Sequence, residues 1–147
     1  MFGAGDVYAS ERSGMVADVA WAHLHGGDVA TAGALMGSVD IDGVGVGTGI
    51  FPQSTLFVAA VVAGAQHDDL RAEAAIARAI AIIDELRETL EDDQSRTEYT
   101  NVPINEHIRA AAAGHWPSIV GAGSVAARTP HRRPGRSRAA RQPVPNQ

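Results

Sequence analysis

The stretch 72–90 constrains the fold more than any other part of this 147-residue chain. Its apolar side chains recur at alternating steps of four and three residues, at Ala72, Ile76, Ala79, Ile83, Leu86 and Leu90. This heptad spacing is typical of a helix that lies along another helix. We therefore predict a helix over 72–90 whose six spaced residues, here called the seam, contact a neighbouring helix in the same chain or in another.

Glycine, proline and cap-competent residues divide the rest of the chain into further helices. A loose lead-in is expected over 1–9, and Ser10 or Ser13 is expected to cap the first helix. Ser54 or Thr55 is the expected cap of the third. The predicted helices cover about 10–25, 28–36, 52–66, 69–91 and 104–113, with a polar link over 94–101. The acidic run 91–93 is unfavourable at a helix C-terminus, so we expect it to fray the fourth helix.

These segments predict a small all-α, Ala-rich bundle of four to five helices, arranged as two helical hairpins, in one domain over 1–127. The glycine-rich connection 37–52 is expected to be a loop, because alternating glycines weaken a strand. Residues 1–127 hold 17 acidic residues against six arginines, a net charge of −11. Residues 128–147 hold six arginines and no acid, with prolines and no apolar period, which predicts a disordered tail.

Composition excludes several classes of protein. The chain has no cysteine, so disulfides and thiolate sites are absent, and a reducing compartment fits. It also has no lysine, so no phosphate-binding P-loop can be drawn. The most apolar run, 56–65, is ten residues long, about half of what a bilayer crossing needs. We expect a cytoplasmic protein without a membrane segment, and nucleic-acid contact at most weakly through the arginine-rich tail.

An internal pattern repeats at an offset of 40 residues. The matching pairs are Val16 and Leu56, Val19 and Ala59, Ala20 and Ala60, His23 and Ala63, Ala32 and Ala72, and Met36 and Ile76. Over 16–91 this pattern resembles the tetratricopeptide-type helical hairpin, used twice, although the family's period is about 34 and its closing proline is missing here. The resemblance implies a concave groove for a peptide or partner protein, and no catalysis.

Polar clusters in the sequence are candidates for catalytic or metal sites. His67 beside Asp68 falls at a predicted turn where aspartate commonly caps a helix, and His107 lies on a short helix. The loop around Asp42 lacks the glutamate that a calcium loop needs at its twelfth position. We therefore expect no catalytic residue, no cofactor and no metal site. Trp116, a large aromatic next to a proline, is a possible anchor for the domain end or for a partner.

The function predicted from these features is a non-enzymatic protein–protein interaction or scaffold module. The alternative is an oligomerising accessory subunit of a larger enzyme or assembly, in which the 72–90 helix pairs with its own copy as a homodimer. A small enzyme using His67, Asp68 or His107 is the third hypothesis.

Overall fold

The computed structural model describes residues 4–48 and 51–118, with side chains from residue 12 onward. Six helices are found there, and no strand: α1 (Ala4–His25), α2 (Val29–Gly37), α3 (Pro52–Ala65), α4 (Asp69–Glu88), α5 (Asp93–Thr100) and α6 (Pro103–Ala112). The all-α prediction is confirmed, with one helix more than expected. The tail predicted over 128–147 lies outside the described residues. None of the described helices combines the length and the apolar character that a bilayer crossing requires.

Two helical hairpins, α1–α2 and α3–α4, are closed by turns of the same geometry. Asp28 N–H donates to the His23 carbonyl at 2.9 Å, and 40 residues later Asp68 N–H donates to the Ala63 carbonyl at 2.9 Å. These are six-to-one bonds of the Schellman type, which ends a helix through a residue of positive φ. That residue is Gly27 (φ 84°) in the first turn and His67 (φ 65°) in the second. The offset of 40 is therefore a property of the backbone as well as of the sequence.

The same aspartates start the second helix of each hairpin. The carboxylate of Asp28 accepts the N–H of Thr31 at 3.0 Å, and the carboxylate of Asp68 accepts the N–H of Arg71 at 3.1 Å. Each aspartate thus satisfies one of the N–H groups that a helix start leaves unpaired. The second helix is expected from the sequence to begin at Asp28, and either Asp68 or Asp69 is expected to cap the fourth; the structure has Asp28 and Asp68 as the caps.

The two hairpins lie side by side in the same orientation. The side chain of Gln66 lies so close to Gly33 that a Cβ there would clash with it. Further along, the guanidinium of Arg71 donates to the carbonyls of Met36 and Val39 at 3.2 and 3.1 Å. Because these contacts advance in the same order along the two hairpins, from Gly33 to Val39 in the first and from Gln66 to Arg71 in the second, α2 and α4 run in one direction. It follows that α1 and α3 also share a direction, since each hairpin reverses the chain once.

Helix α3 is the centre of the molecule, packed against α1, α2, α4 and α6. Its residues from Pro52 to Gly64 are buried apart from Ser54, which is half-buried. A helix that is apolar all round is stable in water only when other elements surround it. The apolar run 56–65, which is too short to cross a bilayer, therefore forms most of the central helix α3.

The glycine-rich connection is a series of turns that arginines from α4 hold against the fold. Arg78 donates to the carbonyl of Val44 at 3.0 Å, as Arg71 does to Val39. Both valines are buried in the core. The expectation of a loop over this connection holds for its described part, 38–48, which contains no strand.

Three local expectations were wrong. Helix α1 begins at Ala4, within the predicted lead-in. Helix α3 begins at Pro52 after Phe51 with no side-chain cap; proline suits the first helical position because its φ is fixed near the helical value and it has no N–H to leave unpaired. The polar link contains α5, which Asp92 caps by accepting the N–H of Ser95 at 2.8 Å. The acids expected to fray α4 instead stabilise the start of α5, where negative charge is favourable.

Candidate functional site

The seam of α4 lies largely inside the chain. Ala72, Ile76, Ala79 and Ile83 are at most 5% exposed, and Leu86 is half-buried. The prediction of a helix through residue 90 was wrong, because α4 ends at Glu88 and the half-buried Leu90 lies beyond it. Helix α4 packs along α3 and also contacts α5 and α6, so it has neighbouring helices within its own chain. A second copy could reach the four buried seam residues only after the elements that cover them had moved away.

The polar candidates are not gathered into one site. His67 and Asp68 form the α3–α4 turn, and Asp68 is the cap of α4. His107 stacks on Phe57, which lies eight residues before the end of α3, or roughly 12 Å along the helix axis. Among the described residues, no group of three or more histidine, aspartate or glutamate side chains is placed to hold a metal ion.

Instead, the structure brings together four rings from three helices. The rings of His25 and Trp21 on α1 meet edge to face, with centroids 4.6 Å apart. Trp21 contacts Phe57 on α3 at 5.9 Å, and Phe57 stacks on His107 of α6 at 6.3 Å with 17° between the ring planes. These separations lie within the range of attractive aromatic pairs. We call these four residues the ring ladder.

The ring ladder covers the side of α3 that faces between α1 and α6. Phe57 is 5% exposed, Trp21 is half-buried, and the terminal rings of His25 and His107 are exposed. On this side, the rings of Trp21 and Phe57 cover the hydrophobic core. The ladder therefore presents aromatic and imidazole surface to solvent in a chain with only 5% aromatic residues.

A buried amide pair lies at the start of α3 and α6, next to the ladder. Gln53 Nε2 donates to Asn105 Oδ1 at 3.4 Å, and Asn105 Nδ2 donates to the carbonyl of Tyr99 at 2.8 Å. The Tyr99 carbonyl can only accept, so it fixes the orientation of Asn105, which in turn fixes that of Gln53. Gln53 Oε1 is then a buried acceptor without a partner among the described atoms. Burial also raises the pKa of the Tyr99 phenol.

These contacts also join the starts of α3 and α6. Gln53 meets Asn105 in the first turn of both helices, and Phe57, one turn after Gln53, stacks on His107, two residues after Asn105. The ring ladder therefore crosses from α1 over α3 to the N-terminal half of α6.

Sequence reasoning missed the ladder because its members are far apart in the chain. The local sign was the spacing of Trp21 and His25, four residues apart and so on one face of a helix. The pairing of Phe57 with His107 had no sign in the sequence. Trp116 is half-buried against the core, and its role as an anchor stays a prediction.

Comparison with protein-family models, with curated proteins and with solved structures found no match to this chain.

Proposed function

We propose that this chain is a non-enzymatic scaffold module that binds a partner protein on the face of α1, α3 and α6 that carries the ring ladder. The observation behind this proposal is the contact of four rings across three helices, with the exposed imidazoles of His25 and His107 at its ends. Aromatic surface with a polar edge suits protein recognition, since rings bury a large area and lose little conformational freedom.

The tetratricopeptide-type resemblance supports the same proposal. Hairpins of matching turn geometry lie side by side, and α6 packs against both α3 and α4. In stacked hairpin arrays, helices that repeat in this way form an extended surface for a partner. The ring ladder would then lie on the face that the resemblance assigns to a peptide or partner protein. The lack of cysteine fits a reducing compartment, so we place this function in the cytoplasm.

The proposal is tested by affinity capture from cells that express the chain, comparing wild type with His107→Ala and His25→Ala. Both rings are exposed, so the variants should fold, which circular dichroism checks. We expect a partner retained by wild type and lost, or reduced at least about tenfold, in both variants. His115→Ala, an equally exposed histidine outside the ladder, is the matched control and should retain the partner. Equal capture by all four proteins would refute the proposal.

A further inference from the structure

Helix α1 has an apolar stripe on the side opposite the core. Its core side is formed by Ala17, Ala20 and Leu24, all at most 3% exposed. On the far side, Met15 is 70% and Val19 is 49% exposed, and Ala22 and Gly26 are exposed as well. These four residues, here called the outer stripe, lie at steps of four, three and four, the spacing that makes a helix fit another helix.

A depression lies on the C-terminal half of the outer stripe. Its volume is about 530 Å³, and it is lined by Asp18, Val19, Ala22, His23, Gly26 and Asp28. Its apolar lining is Val19, Ala22 and Gly26, and its polar lining is Asp18, His23 and Asp28. Met15, with its long exposed side chain, lies one turn before Val19, so the stripe bears a protruding apolar side chain and, further along, a hollow.

We propose that the outer stripe docks a second copy of this chain, with the two α1 helices antiparallel. An antiparallel pairing about a two-fold axis lets one surface meet itself. When the four positions are paired in reverse order, Met15 of each copy faces Gly26 of the other, and Val19 faces Ala22. Each large side chain thus meets a small one, and Met15 enters the depression. This fit needs no displacement of the elements that cover α4, unlike pairing through the α4 seam.

The charges near the stripe favour the same arrangement. Arg12 is exposed three residues before Met15. Asp28, whose carboxylate also caps α2 and lies 3.3 Å from His23 Nδ1, is two residues after Gly26. In the antiparallel pairing these residues of opposite charge come within about one residue of the same level, once at each end of the interface. A parallel pairing would instead place each charge beside its own copy, which is unfavourable. Complementary charge of this kind sets orientation more than affinity.

One pair of helices buries a narrow interface, less than the roughly 1,200 Å² of a standard stable complex, so the dimer should be weak. The test is sedimentation equilibrium of the full chain from about 10 μM to about 1 mM, the range in which weak contacts form. We expect the average mass to rise from 15.3 kDa towards twice that value. A mass that stays at the monomer value throughout would overturn the proposal.

Two variants locate the interface. Val19→Glu should weaken association at least about tenfold, because the substitution occurs twice in a symmetric dimer. Gly26→Met should do the same by filling the depression. A Cβ at Gly26 meets only the His23 and Ala22 carbonyls, at 3.4 and 3.6 Å, so a side chain can begin there without a clash, and circular dichroism checks that the variant folds. Leu70→Glu, at a residue 83% exposed on α4, is the control and should dimerise as wild type.

The variants also separate this interface from the alternatives. A dimer unaffected by both Val19→Glu and Gly26→Met would overturn the proposal, and a dimer lost equally in Leu70→Glu would show unspecific association. The proposal is independent of partner binding at the ring ladder. His107→Ala leaves the outer stripe intact and should dimerise as wild type.

Discussion

At the scale of single residues, the two hairpin turns are a natural comparison of glycine with a side chain at one backbone position. Gly27 and His67 occupy the same place in the two turns, with φ of 84° and 65°. A residue with a Cβ is strained there by roughly 1–2 kcal/mol, whereas glycine adopts this conformation freely. The second turn therefore forms in spite of the strain at His67. It is closed by the same six-to-one hydrogen bond as the first turn, from Asp68 N–H to the Ala63 carbonyl.

Substitution at the two positions should have unequal effects. Gly27→Ala should lower the free energy of unfolding by about 1–2 kcal/mol. His67→Gly should change it by less, since relief of strain offsets the loss of the imidazole's own interactions and the greater chain entropy of glycine. Urea unfolding followed by circular dichroism measures both. Gly37→Ala, at the end of α2 without positive φ, is the control, and a loss there as large as at Gly27 would contradict this account.

At the scale of helices, the aspartates that cap α2 and α5 link stability to pH. Hydrogen bonds from Thr31, and secondarily the charge of His23, lower the pKa of Asp28 below 3.8. Hydrogen bonds from Ser95 lower the pKa of Asp92 in the same way. A carboxyl group whose pKa is lower in the folded state stabilises the fold fully above its unfolded pKa. That contribution is lost as the pH falls through the folded value.

We therefore expect the melting temperature to fall as the pH is lowered from about 4.5 to about 2, and the fall to be smaller in Asp28→Asn with Asp92→Asn. Asparagine caps a helix nearly as well as aspartate but carries no titrating charge, so the double variant should still fold. Thermal scans by circular dichroism at half-unit pH steps measure the slope. An unchanged slope in the double variant would show that other carboxyl groups cause the acid sensitivity.

Helix α5 also shows why charges near a helix end must be assigned to the correct helix. The acids at 91–93 follow α4, where they are unfavourable, and precede α5, where they are favourable. The sequence contains both possibilities. The cap formed by Asp92 on Ser95 in the structure settles which helix these acids serve.

At the scale of the whole molecule, Asn105 joins three helices. Its side chain is fully buried, accepts a bond from Gln53 on α3 and donates to Tyr99 on α5. Asn105→Ala would leave the Gln53 amide and the Tyr99 carbonyl without this partner in an apolar setting. We expect it to cost roughly 2–4 kcal/mol of unfolding free energy, measured by urea denaturation.

Asn101→Ala is the matched control for Asn105, because Asn101 is exposed at the end of α5. We expect a change within about 0.5 kcal/mol there. Equal effects at the two asparagines would mean that the buried amide pair does not hold the helices together.

The sequence by itself determined five of the six described helices and most of their ends, because periodicity, caps and glycine turns act within a few residues. It missed α5 and the early start of α1. It placed the start of α2 at Asp28 and that of α4 at Asp68 or Asp69, and it showed the repeat of 40 that both turns follow. It also predicted that α4 lies along another helix. It left open which helix that is.

Only the tertiary structure decided which faces meet. It placed α3 against α4, joined Phe57 to His107 across 50 residues, and left the outer stripe of α1 uncovered by the described residues. The physical reason is that such contacts depend on the order in which whole helices pack. Side chains that are far apart in the chain share no periodic pattern, so the sequence gives no sign that they will be in contact.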